Sequence, residues 1–334
     1  MTRVGLVLGA GGVVGQAYHA GVLAALEHDL GWDPRNADVV VGSSAGSVTG
    51  TLLRLGIPAS DLAAWAVEAP LSVESAPLIA QLTGDDLDEG FPPLLPRDLL
   101  RGWRLPSAAL LARFARRPWG FRPGVAAMTL LPAGRIDVAK RAEVLHEITG
   151  EKWPDGLWIC AARRTDGGRV VFGREGSPPA RVAEAVAASC AIPGYFSPVR
   201  VRGIEYFDGG VHSPTNADVL RRSNLDLVVV VSPMSAAHGR SLSFDGPMRW
   251  VAHRRLEQEI RKLTSAGTTV VRFEPGPRCL VAMGLNAMAI DRSDRVLQQA
   301  FLEAGRRASR GHVAERLAPL AMRQSRRLGG VGTA

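Results

Sequence analysis

The sequence predicts an α/β fold with a mostly parallel central sheet, and two strand–glycine turn–helix units near its start are the main observation behind that reading. The apolar run from Arg3 to Leu8 suits a buried parallel strand. It stops at Gly9-Ala10-Gly11-Gly12-Val13-Val14-Gly15, and a helical pattern follows from Gln16 to about His28. Val39-Val40-Val41 is a second short strand, ended by Gly42-Ser43-Ser44-Ala45-Gly46, with a helix expected from Ser47 to Leu55. Further strand candidates lie at Leu157–Ala162, Val170–Phe172, Val199–Phe207, Leu227–Val231 and Thr269–Phe273, so the alternation persists to the far end of the chain.

Between these runs the character changes. From 70 to 132 prolines recur at short intervals between apolar stretches, which predicts an insertion of small helices and loops, a cap and not another sheet layer. Helices are expected from Ala180 to Ser189 and from Pro247 to Thr264. In the second, Met248, Val251, Leu256, Ile260 and Leu263 fall on one stripe. The region 286–334 reads as C-terminal helices, Arg-rich from Ser293 to Arg327, and the whole of 1–334 as a single domain carrying the cap.

Composition excludes several classes. The chain has 334 residues, 46% of them hydrophobic and 22% charged, which is enough for a core and too apolar for disorder. Its formal charge of +8 permits an anionic partner, and charge alone selects none. Cys160, Cys190 and Cys279 lie far apart without a CxxC spacing, so no zinc site or disulfide framework is expected. No secretory-signal pattern opens the chain, and no stretch approaches the roughly 18 uncharged apolar residues of a membrane span. A reduced, cytoplasmic setting is the expectation.

Gly42-Ser43-Ser44-Ala45-Gly46 fits G-x-S-x-G with a strand before it and a helix after it, as a nucleophile elbow requires. The glycines would leave room around Ser44, and the helix would point its N-terminal N–H groups at a developing oxyanion. An ordinary βα loop has the same letters. The glycine run at 9–15 lacks the Gly-Lys-Ser/Thr of a P-loop, and Val14 stands where a dinucleotide fingerprint needs Gly or Ala. An oxyanion hole is the remaining reading, with Gly11 and Gly12 turning backbone N–H groups toward an acyl carbonyl above Ser44. For a base, Asp208-Gly209-Gly210 ends the 199–207 run, although Asp-Gly is also a common hairpin turn. His212 follows four residues later, as a triad member or as a loop histidine with a structural hydrogen bond.

Four ordered blocks then resemble the patatin-like phospholipases, lipid acyl hydrolases with a Ser–Asp dyad. Leu8 to Gly15 is similar to the family's glycine-rich oxyanion motif, Gly42 to Gly46 to its elbow, and Asp208-Gly209-Gly210 to its acidic motif. Ala188-Ser189-Cys190-Ala191-Ile192-Pro193, with Phe196 and Pro198, resembles the block that precedes the family's catalytic Asp. The resemblance implies a three-layer α/β sandwich, Ser44 as nucleophile, Asp208 as base, and Gly11, Gly12 and Val13 as oxyanion donors. Within the motifs it also marks Gly9, Gly15, Gly42, Gly46, Gly209 and Gly210. It leaves His212 as a loop residue and departs at Val14, where many members carry Arg.

The implied reaction is hydrolysis of an acyl ester of a phospholipid or related lipid. An acyltransferase or thioesterase would use the same dyad, and a non-catalytic lipid-binding protein is the reading from another class. No metal or other cofactor is expected, and the seven histidines show no ligand spacing. Nucleic acid is not an expected partner. Peripheral contact with an anionic membrane is, through Trp103, Arg104, Arg113, Arg116, Arg117, Trp119, Phe121 and Arg122 of the insertion or the arginines of the last helices.

Overall fold

In the computed structural model the described residues are 2–82, 136–236 and 245–329, with the single positions 112, 115, 116, 125 and 134. The cap expected at 70–132 therefore lies, beyond Leu82, almost wholly outside the described residues, as does its aromatic–arginine patch apart from Arg116.

Every apolar run read as a strand pairs. Eight strands, β1 (Val4–Leu8), β2 (Val39–Ser43), β3 (Leu157–Arg163), β4 (Arg169–Phe172), β5 (Val199–Val201), β6 (Ile204–Asp208), β7 (Leu227–Val231) and β8 (Thr269–Phe273), form one sheet. Its order is β5-β6-β3-β2-β1-β7-β8, with β4 paired to β3 outside that path. β3, β2, β1, β7 and β8 run parallel, while β4 and β6 are antiparallel to β3, and β5 and β6 make a hairpin.

The parallel strands read as continuous apolar runs because helices cover both faces. Side chains alternate across the pleat. Leu6, Leu8, Val229 and Val231 face one layer with Leu23, Leu26, Val186 and Ala300. Val7, Val41, Val228 and Val230 face the other with Leu220, Leu256 and Leu263. Full burial of a leucine contributes about 1.5–3 kcal/mol, so each face holds the sheet firmly. On the first face lie α1 (Gly12–Leu30), α2 (Ala45–Arg54), α6 (Val182–Cys190) and α9 (Ser293–Ala308); α7 (Gly246–Thr264) covers the second. Further helices among the described residues are α3 (Ala59–Ala66), α4 (Ala76–Leu82), α5 (Val138–Thr149), α8 (Pro277–Met283) and α10 (Gly311–Gly329).

Three features refine the sequence expectation. First, α1 begins at Gly12, inside the glycine run and not after it. A Cβ on Gly11 would come within 2.6 Å of the Gly15 Cα and 2.9 Å of Pro233, so this glycine permits close approach and does not stop the helix. Second, α2 begins at Ala45, two residues before the expected Ser47, and the C-terminal helices are α9 and α10, parted near Ser309 and Arg310. Third, the α7 stripe is only half buried: Leu256 and Leu263 are covered, whereas Met248 is 69% and Val251 47% exposed. The 19 residues of α7 span about 28 Å, against about 17 Å for the five residues of β8. A helix that long outruns the strand beneath it.

Candidate active site

Strand β3 brings the two motif blocks together. At Cys160 it pairs β2 and β4 at once, and at Ala161 it pairs β4 and β6 at once. A strand has two edges, so β2 and β6 must share the edge opposite β4. Along it β2 ends with Ser43 opposite Cys160, and β6 ends with Asp208 opposite Ala161, the next residue. The strand bearing Ser44 and the strand bearing Asp208 thus meet end to end.

Ser44 occupies the turn out of β2 with φ 53 and ψ −124, a left-handed conformation that is strained for any residue with a side chain. Neighbours hold it there. Its N–H donates to Ser189 Oγ at 2.8 Å, and Ser189 Oγ donates in turn to the Cys160 carbonyl at 2.7 Å. The Ser44 carbonyl accepts from the Ser47 N–H at 2.7 Å and from Ser47 Oγ at 2.7 Å. Gly42 and Gly46 make the turn possible: a Cβ on Gly42 would meet the Gly46 carbonyl oxygen at 2.5 Å, and one on Gly46 the Leu8 carbonyl oxygen at 1.9 Å.

The Asp208 carboxylate accepts from the Gly210 N–H at 2.6 Å, and the Ser44 side chain lies near enough to favour its charged form. Asp208 is 5% exposed. Burial pushes its carboxyl up to about 6, against the lowering effect of Ser44 and of the Gly210 N–H. Gly209 sits against β3, where a Cβ would reach the Cys160 carbonyl oxygen at 2.2 Å.

The glycine turn after β1 joins the same place. Ala10 N–H donates to the Pro214 carbonyl at 2.7 Å, and Gly9 N–H to the Val231 carbonyl at 2.9 Å. Gly12 takes φ +62, and a Cβ there would meet the Ala287 carbonyl oxygen at 2.5 Å. The first amides of a helix have no acceptor four residues earlier. Val14 donates to Ala287 and Gly15 to Gly11, whereas Gly12 and Val13, which open α1, line a cavity together with Ser44. Gly11 is buried behind them. Val14, at the position where Arg was the family expectation, is 4% exposed and packs in the core.

The cavity measures about 780 Å³, and apolar side chains such as Leu52, Leu62, Trp65, Leu145 and Val186 form most of its described wall. Cys190 also lines it, with its thiol pushed up to about 12, first by burial and then by Asp208, so it is protonated at neutral pH. Among the described residues no three His, Cys, Asp or Glu side chains gather to hold a metal ion.

Two supporting residues escaped the sequence reading. Ser189 was legible only as part of a motif block, without a task. Asn216 is completely buried in a left-handed turn, and its Nδ2 donates toward Ser43 Oγ (2.9 Å), the Gly209 carbonyl (3.1 Å) and the Ser213 carbonyl (2.7 Å). It therefore ties the end of β2 to the Asp208 loop. His212 Nδ1 lies 3.2 Å from Asn216 Oδ1, so this histidine takes part in that loop's hydrogen bonding.

Residues 6–221 match the family described as patatin-like phospholipase, well over half of the chain, and the chain belongs to that family. No functionally curated protein matches it. Among solved structures it is similar to VipD from Legionella pneumophila (14% identity, TM-score 0.43, covering 92% of this chain and 66% of that one). It is also similar to human GIVD cytosolic phospholipase A2 (10% identity, TM-score 0.46, covering 96% and 63%). A third is the ExoU–SpcU complex from the type III secretion system of Pseudomonas aeruginosa (20% identity, TM-score 0.35, covering 95% and 52%). The chain thus spans between half and two thirds of the length of these structures. No helix among the described residues is long and apolar enough to cross a membrane.

Proposed function

We propose that the protein is a serine lipid acyl hydrolase that cleaves acyl esters of phospholipids or related lipids. The observation that carries this reading is Ser44 on the wall of an apolar cavity of about 780 Å³, with the buried Asp208 carboxylate beside it. Asp208 takes the Ser44 proton as Oγ attacks the ester carbonyl, and the Gly12 and Val13 amides face the oxyanion that forms. The leaving alcohol recovers the proton from Asp208. A water, losing its proton to the same carboxylate, then attacks the acyl-serine, and the departing Ser44 Oγ takes that proton back from Asp208 as the fatty acid is freed. A carboxyl raised to about 6 is a better base than an ordinary aspartate and is still ionised at neutral pH. The α2 N-terminus adds its positive end to the oxyanion side. Membership of the family and the apolar cavity support a lipid acyl chain as the bound group.

The test is fatty-acid release by the purified protein from a panel of phospholipids, acylglycerols and short-chain esters, with Ser44→Ala as control. Release that depends on Ser44 is expected. No release from any ester, or equal release by the Ser44→Ala form, would overturn the proposal.

A further inference from the structure

Parallel strands β1, β2, β7 and β8 end on the edge of the sheet where Ser44 and the glycine turn lie, and the loops beyond β7 and β8 return along that edge. Large apolar side chains left in water gather in the same segments. Val281 (78% exposed), Leu285 (68%) and Ile290 (56%) follow β8, and Met248 (69%) and Trp250 (49%) stand in the first turns of α7, between β7 and β8. Isolated exposed apolar residues need no explanation, but several on one rim mark a contact surface.

A groove of about 510 Å³ between α8 and α9 adds charge, for Arg278, Arg292 and Arg295 line it together with Val281. Arg292 donates to the Ala282 carbonyl at 3.2 Å, while Arg278 and Arg295 are exposed and have no ion pair or hydrogen bond among the described residues. One short stretch separates this groove from the catalytic cavity and sorts its charges. Ile290, Asp291, Ser293 and Asp294 line the cavity, while Arg292 and Arg295 line the groove. Acidic groups thus turn toward the cavity and basic groups toward the outer face.

We propose that this α8–α9 face is the surface by which the protein rests on an anionic lipid bilayer, with Arg278, Arg292 and Arg295 on lipid phosphates and Val281 and Leu285 among the headgroups. The proposal rests on the lipid-hydrolase reading and names where that enzyme meets its substrate. The arginines supply attraction that fades within a Debye length, and the aliphatic tips supply the short-range hold. Since groove and cavity share the 290–295 wall, a protein seated in this way brings the cavity beside the lipid it hydrolyses. The arginines of α10 are not required.

The test uses the full chain as Ser44→Ala, so that vesicles stay intact, with vesicles of phosphatidylcholine alone or mixed with phosphatidylserine, at low and high salt. Salt-sensitive binding to the mixed vesicles is expected. Arg278→Glu with Arg295→Glu should weaken it roughly tenfold or more, and Val281→Asp with Leu285→Asp should also weaken it. In the active Ser44 background both pairs should leave hydrolysis of a monomeric short-chain ester within about twofold of the parent while lowering hydrolysis of vesicle lipid; the milder Arg278→Gln with Arg295→Gln should lie between. Absence of parent binding to any vesicle, or variants that bind as tightly as the parent, would overturn the proposal. So would self-association of the parent that Val281→Asp with Leu285→Asp abolishes, because the face would then belong to a second copy. Vesicle binding without hydrolysis of any ester would sink the enzymatic reading and leave the surface standing.

Discussion

Two neighbouring turns do opposite things with the same backbone trick. After β1 the chain enters α1 through Gly12 at φ +62, and after β2 it enters α2 through Ser44 at φ 53. Glycine adopts this conformation almost freely, whereas a serine there costs about 1–3 kcal/mol. At the first turn Gly12 and Val13 line the cavity, and a Cβ on Gly12 would meet the Ala287 carbonyl oxygen. At the second a side chain is presented, and the strain is held by hydrogen bonds from Ser47 and to Ser189. The comparison teaches why the second turn keeps its strain: there the side chain itself carries the proposed chemistry.

The sharpest test of that contrast is removal of the side chain. Ser44→Ala and Asp208→Asn should each lower ester hydrolysis on the order of 10⁴-fold, and the double variant should be barely worse than either alone because the pair acts as a unit. Ser44→Ala should fold normally, as circular dichroism will show. Next in size is Gly46→Ala, whose Cβ would fall 1.9 Å from the Leu8 carbonyl oxygen. Backbone meets backbone there, so a loss of about 3 kcal/mol or more, or failure to fold, is expected in denaturant titration. Gly12→Ala strains the first turn directly against Ala287 and should lower kcat about a hundredfold, with a smaller loss of stability than Gly46→Ala. A fully active Gly12→Ala form would break the comparison.

Ser189→Ala leaves the Ser44 N–H buried without its acceptor, a loss of about 1–3 kcal/mol. With the elbow loosened, kcat should fall roughly tenfold or more while KM changes little. Smallest is the effect of pH. Activity should rise through a midpoint near 6 as Asp208 loses its proton. Stability runs the other way. A carboxyl raised in the folded state holds a proton that the unfolded chain has released, so its contribution is present at acid pH and lost as pH rises through about 6. Asp208→Asn should therefore be more stable than the parent at neutral pH, by up to about 3 kcal/mol, with the gain vanishing below about pH 4. Thermal denaturation at both pH values checks the sign; equal melting temperatures at neutral pH would show that burial imposes no penalty on the carboxylate.

The parallel strands were the most legible part of the fold, since an apolar run buried on both faces looks the same wherever it occurs. β7 and β8 fall where the pattern puts them, and the 199–207 run resolves into the β5–β6 hairpin. Helices α3 and α8 were not read because each is short and flanked by glycine or proline, and α5, twelve residues long, because it follows directly on the proline-rich stretch. The exposure of the first turns of α7 was not legible, because helical periodicity shows which positions share a face and not whether anything lies beneath it. At the candidate site, Ser44 and Asp208 were visible through their glycines, whose need for tight turns is written locally. Ser189 and Asn216 act across the chain, Ser189 from α6 on the elbow and Asn216 on Ser43. A single serine or asparagine gives no local sign of such a contact.

The shared edge of β3 has a consequence for variation. The separation of Ser44 from Asp208 is a lattice spacing of the sheet, set by which residues of β2 and β6 lie opposite Cys160 and Ala161. Loops between these strands can change in length without altering that spacing, as long as β2, β3 and β6 keep their partners and Ser189 keeps its hold on Ser44. A slip of β6 by one residue would instead move Asp208 about 3.3 Å and turn its side chain to the opposite face of the sheet. Loop length is therefore free to diversify, while register within these few paired residues is the quantity that inheritance must guard.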